Sequence, residues 1–117
     1  MKVVAALIES ALADLNLDIA RVYNPSPSTD PYIIYNQVTK SPSLFTDNCE
    51  QSRTFLIDVD IYTTDPSLID VTSEAVEKRL KEVGFKLKPS GGTIVEDDLK
   101  PVVYHEAMEF EYEKEMR

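Results

Sequence analysis

Two stretches of this chain alternate apolar and polar residues with period two. In Arg53–Thr63, Phe55, Ile57, Val59 and Ile61 fall on one side, and Leu56, Asp58, Asp60 and Tyr62 on the other. In Val103–Glu113, Tyr104, Met108, Phe110 and Tyr112 share a side that Glu106 interrupts, with His105, Ala107, Glu109, Glu111 and Glu113 opposite. Alternation of this length predicts two long strands, each with one buried and one wetted face. A different period opens the chain. Val4, Leu7, Ile8, Ala11, Leu12 and Leu15 recur every three or four residues, which predicts an amphipathic helix over 2–15 with Asn16 as its stop. Asp65-Pro66 predicts the start of a second helix, Asp65 capping it and Pro66 taking the first position, where a missing N–H costs nothing. Its inward positions are Ile69, Thr72, Val76, Leu80 and Val83, and Gly84 ends it.

The remaining segments fill in around these. Leu17–Tyr23 reads equally as a short strand or an extended crossing. Residues 24–31, NPSPSTDP, form a loop, because the prolines exclude helix. Tyr32–Val38 is rich in aromatic and β-branched residues and predicts a buried strand. The polar run 39–52, TKSPSLFTDNCEQS, is either a mobile loop or an extension of its two flanking strands into a projecting hairpin, and a loop so long in a compact domain is usually functional or disordered. Short strands are predicted at Phe85–Lys88 and Thr93–Val95 around a PSGG turn, before the last long strand from Lys100-Pro101. The order predicts a single α+β domain spanning 1–117. It should hold one mostly antiparallel sheet of about four to five strands, with an N-terminal helix and a second helix packed on one face.

Composition narrows the function. With 117 residues, 43% apolar and 28% charged, the chain suits one ordinary globular core. Its 21 acids against 12 bases give a formal charge of −9, which disfavours nonspecific binding to DNA or to anionic membranes. It leaves room for a protein that lets DNA pass without holding it. A single cysteine, Cys49, excludes an internal disulfide framework and suits a reducing compartment. Glu9 and Asp14 break the apolar start, so no secretory signal is expected there, and no apolar run approaches membrane-span length. The expected location is the cytoplasm.

Catalytic chemistry is sparse. Glycine occurs only at Gly84, Gly91 and Gly92, so no phosphate-cradling loop or dinucleotide fingerprint can be drawn. Cys49 and His105 are the only thiol and imidazole and offer a formal nucleophile pair. The plainer readings are a small residue in a polar turn and a strand residue on the wet face. If the two long strands are neighbours, Asp58, Asp60, Glu109 and Glu111 form one carboxylate patch. Such a patch invites Mg²⁺ or Ca²⁺, but on an open, solvated surface it reads first as a charged face. Its acids also guard against edge-to-edge aggregation. No enzyme, cofactor or metal is expected.

The order of these features resembles the small tail-completion and tail-terminator proteins that join tail to head in long-tailed bacteriophages and prophages. The resemblance spans Leu7 to Glu113 and rests on Pro31–Val38 (PYIIYNQV), Phe55–Thr63, Gly84-Phe85 and His105–Tyr112. It carries no catalytic residue. It implies a structural virion-assembly protein that forms a hexameric ring at the head-proximal end of the tail, partnered by tail-tube and head-connector proteins. DNA would pass through it without specific binding. It implies residence in the host cytoplasm during assembly and then in the virion tail. Within that reading, Ser41, Leu44, Phe45, Asp47 and Asn48 are the candidate contact residues, and Glu109, Glu111 and Glu113 are candidates to line the channel. Two other classes remain open. One is a small homodimeric α+β ligand-binding or regulatory domain using Tyr32, Tyr35, Asn36 and Gln37. The other is a metal-dependent enzyme built on the acidic strand patch.

Overall fold

A computed structural model of the chain describes residues 2–46, 49–88, 93–96 and 102–115. The first helix, α1 (Lys2–Leu12), continues through a 3₁₀ turn (Ala13–Leu15) and stops where predicted. Asn16 takes a left-handed conformation, φ 57°, which a short polar side chain tolerates. Val4, Ile8 and Leu12, spaced by four, form the buried stripe of α1. Leu7, Ala11 and Leu15 flank it at partial burial. The second helix, α2 (Ser67–Glu82), buries Ile69, Thr72, Val76 and Leu80. Asp65 Oδ1 accepts the Ser67 N–H at 3.0 Å and its hydroxyl at 2.7 Å, as a residue capping this helix should. At the far end, Phe85 N–H reaches the Leu80 carbonyl and Gly84 N–H that of Lys81. This pair of bonds is the Schellman closure, and it needs the left-handed φ of 104° that Gly84 supplies.

Six strands form one sheet: β1 (Asp18–Arg21), β2 (Tyr32–Thr46), β3 (Cys49–Thr63), β4 (Lys86–Lys88), β5 (Thr93–Glu96) and β6 (Val103–Glu115). Their order is β1-β2-β3-β6-β4, with β5 also on β6. Since β4 pairs with 109–111 of β6 and β5 with 103–106, the two short strands share one edge and the sheet is five strands wide. Every pairing is antiparallel except β1 with β2. Within the ambiguous 17–23 segment, Asp18–Arg21 is thus an edge strand. The 24–31 loop after it is fastened at both ends. Asp18 accepts Ser28 N–H at 2.6 Å, and Asp30 accepts Thr63 Oγ1 at 2.6 Å.

Both helices cover the same sheet face. Phe55, Ile57, Val59 and Ile61 of β3 meet Ile33 and Tyr35 of β2, Met108 and Phe110 of β6, and the stripes of α1 and α2 in one cluster. The register agrees, setting Ile57 opposite Phe110 and Val59 opposite Met108. Tyr35 is buried but directs its phenol to the Glu9 carboxylate on α1, which satisfies the group and fixes the helix on the sheet. Burial, with Glu9 beside it, holds that phenol ionisation above its usual range. Arg79 and Asp14, 3.0 Å apart at the surface, link α2 to the turn after α1. Among the described residues no helix is long and apolar enough to cross a membrane.

Of the two readings of 39–52, the strands extend. The hairpin pairing runs from Tyr32↔Tyr62 out to Thr46↔Cys49, with irregularities between Gln37 and Thr39 and between Pro42 and Phe45. Pro42 is tolerated because the pairing with β1 ends at Tyr35, leaving the distal part of β2 on the sheet edge among the described residues. A 15-residue strand spans ~50 Å at the usual rise, which accounts for a molecule measuring 56 × 26 × 24 Å. Its radius of gyration, 15.4 Å, exceeds the roughly 13.4 Å of a compact chain of this length.

Two substitutions test this packing. Ile57→Asp places a carboxylate at a fully buried position and should eliminate soluble folded protein; a wild-type melting curve would mean the two faces of β3 are exchanged. Gly84→Ala forces a side chain into left-handed backbone with Tyr112 3.4 Å from the new Cβ. It should lower stability by about 1–2 kcal/mol in urea denaturation while leaving the fold intact.

Candidate functional site

The face turned away from the helices is the candidate site, and cross-strand register builds it row by row. At one end, Tyr32, Tyr62 and His105 lie side by side on β2, β3 and β6. The Tyr62 ring stacks between the other two, with centroids 5.1 Å from Tyr32 and 4.2 Å from His105. In the next row come Ile34, Asp60 and Ala107, then Asn36, Asp58 and Glu109. Leu56 and Glu111 follow, and Thr54 with Glu113. The face is therefore not uniformly acidic. It runs from an aromatic end to a carboxylate end.

The predicted acid patch does assemble, since β3 and β6 are neighbours and Asp58 stands directly opposite Glu109. Asp58 is half-buried, and that burial, reinforced by Asp60 and Glu109, raises its carboxyl above the usual aspartate range. The patch also has cations that sequence reading missed. Strand β4 pairs with β6 so that Lys86 lies opposite Glu111 and Lys88 opposite Glu109, and Lys88 Nζ comes within 3.4 Å of Glu111 Oε2. Of the candidate channel-lining row, Glu111 is thus charge-paired and Glu113 is exposed. Among the described residues, no three His, Cys, Asp or Glu side chains converge as a metal site.

His105 lies on this face but is mostly covered, with 14% of its side chain exposed and Nε2 3.3 Å from Asp60 Oδ1. Cys49 is at the other extreme of β3. Thirteen residues of strand separate it from Tyr62, the pairing partner of His105, or roughly 40 Å, so one chain does not bring thiol and imidazole together. The four polar residues of β2 also divide. Tyr32 and Asn36 lie on the open face, and Tyr35 and Gln37 on the helix side. Of the candidate contact residues, Ser41, Leu44 and Phe45 are in the distal part of β2, whereas Asp47 and Asn48 lie outside the described residues.

Sequence reasoning also missed a cleft beside the aromatic end. Val22, Tyr23, Asn24, Tyr32, Ile34 and Tyr62 enclose about 240 Å³ there. Its rim is a γ-turn after β1, closed by Tyr23 N–H to the Arg21 carbonyl at 2.9 Å, with Val22 at φ 74°. Positive φ at a β-branched residue is a strained conformation. It leaves Val22 62% and Tyr23 72% exposed.

Two aspartates should show opposite pH linkage. The Asp58 carboxyl is raised in the fold, so its favourable contribution exists below the ordinary value of 3.8 and is lost as pH rises through the folded value. Asp58→Asn should therefore stabilise the protein at neutral pH, with the gain vanishing in acid. At Asp30, desolvation raises the carboxyl, but hydrogen bonds from Thr63 and Thr64 outweigh it and the net direction is down. Its contribution is present above 3.8 and lost as pH falls through the folded value. Asp30→Ala should destabilise at neutral pH, and the deficit should narrow in acid. Urea denaturation of both variants across this range checks the signs; a common sign at neutral pH would contradict the assignment.

No protein-family model matches the sequence, and no curated protein matches it.

Proposed function

We propose that this chain is a non-enzymatic assembly subunit of a long-tailed phage or prophage, forming a ring at the head-proximal end of the tail. There it joins the tail to the head connector and leaves a passage for DNA. The observation that carries this reading is the β2–β3 hairpin. Beyond the Ser52–Glu115 pair it continues, among the described residues, as two strands paired only with each other. Two strands bury too little to hold themselves in water, and their edges are open to pairing. An element built this way suits a chain whose neighbours complete it. The resemblance in order and pattern to tail-completion proteins gives that neighbour an identity: an adjacent subunit, the tail tube or the connector. The carboxylate end of the open face adds support, because a DNA passage is served by weak repulsion rather than adhesion.

Deleting 41–48 from the gene in its phage should leave a folded protein with unchanged helix content, and electron microscopy should show filled heads beside unjoined tails. Normal virion yield would remove the hairpin from the mechanism. Replacing Glu109, Glu111 and Glu113 by lysine tests the passage separately. Glu113 is exposed and Glu109 and Glu111 are partly so, and since surface charges and surface charge pairs each contribute ~1 kcal/mol or less to stability, the variant should fold and bind DNA in a salt-sensitive manner where the parent does not. If particles carrying it deliver DNA at the parental rate, those residues lie outside the passage.

A further inference from the structure

We propose that the cleft beside Tyr32 receives an arginine side chain presented by a protein partner. The inference stands on the cleft itself and does not depend on the tail reading. Three tyrosines line it, Tyr23, Tyr32 and Tyr62, and the last two belong to the stacked row that ends in His105. A planar guanidinium is the cation that adds to such a surface, because it stacks on aromatic faces as well as attracting their electron-rich π clouds.

Charge complementarity selects a cation over other flat groups. Asp18 is paired in register with Tyr32, and Asp60 lies one row from Tyr62 beside Ile34. Hydrogen bonds from Ser28 and Asn24 hold the Asp18 carboxyl below its usual range, so it is ionised at neutral pH, and Asn24 itself lines the cleft. Asp58 continues the acid surface behind Asp60. A side chain in the cleft therefore meets tyrosine rings, with Asp18 beside Tyr32 in register and Asp60, 3.3 Å from His105 Nε2, one row away, and the whole chain, at −9, attracts a basic partner. The rim is shaped for contact. The γ-turn spends backbone strain to hold Val22 and Tyr23 outward, and strain of this kind is characteristic of binding positions. The stem methylenes of arginine would lie along Val22 and Ile34.

The test is a proton NMR titration of the tyrosine ring signals, assigned by substitution, with three probes at physiological salt. These are N-acetyl-arginine N-methylamide, its lysine counterpart and free L-arginine. The capped arginine should shift Tyr23, Tyr32 and Tyr62 at millimolar concentration. Capped lysine should bind several-fold more weakly. Free arginine, whose α-carboxylate faces Asp18 and Asp60, should also be weaker, which separates a partner's side chain from the free amino acid. Tyr23 is well exposed, so Tyr23→Leu should fold normally and weaken capped-arginine binding several-fold, whereas Tyr23→Phe should retain it. The proposal is overturned if capped arginine and capped lysine bind equally, if free arginine binds as well as the capped form, if Tyr23→Leu binds like the parent, or if no tyrosine signal shifts.

Discussion

Both helices lay their apolar stripes on the same face of the sheet, and the rest of the molecule is arranged by that one-sided cover. Ile57, at the centre of β3, faces the helix layer with Phe110 opposite it on β6. Period-two geometry then sends every intervening residue of β3 to the other side. Asp58, Asp60 and Tyr62 reach the open face because Ile57, Val59 and Ile61 must not. What that face can do is decided by how neighbouring strands slide against one another, since the helices contribute nothing to it.

Such a division explains which features could be read in the sequence. The α+β class, the two helices and the inner faces of β3 and β6 are periodic signals, and Asp65-Pro66 and Gly84-Phe85 are local punctuation with fixed mechanical meaning. All were legible. The carboxylate row Glu109, Glu111 and Glu113 was legible too, as one strand's outer positions. The partners of that row were not. That Lys88 meets Glu111 depends on where a three-residue strand lands on β6, and nothing local fixes that register. The Tyr32–Tyr62–His105 stack likewise exists only because three strands align the same row. The parallel placement of β1 depends on side-chain bonds across the 24–31 loop, to Asp18 and Asp30, which no periodicity encodes. The hairpin escaped a firm reading because its distal part, paired among the described residues only with itself, has no need of an apolar face.

The same residue type serves different ends in this small fold. Asp30 is surrounded by donors from Thr63 and Thr64 and acts as a clasp at the end of β3. Asp58 has carboxylates beside it and is held against their repulsion by the packing beneath. The first works for the fold as a charge; the second is tolerated by it. A surface that keeps an unfavourable charge half-buried has given up stability that a neutral side chain would restore.

The hairpin can finally be considered as a beam. Its fixed end is the last described pairing with β6, Ser52 with Glu115, and Phe55 with Tyr112 is the first aromatic pair behind that line. Phe85 stacks on Tyr112 at 4.8 Å and immediately follows the glycine that ends α2. A sideways load at Thr46 and Cys49, ~20 Å beyond Phe55 by strand rise, is therefore delivered as torque to Tyr112 and Phe85, and through them to the closing turn of α2. Beside the continuous strand ladder, this aromatic contact joins the projection to the helix layer.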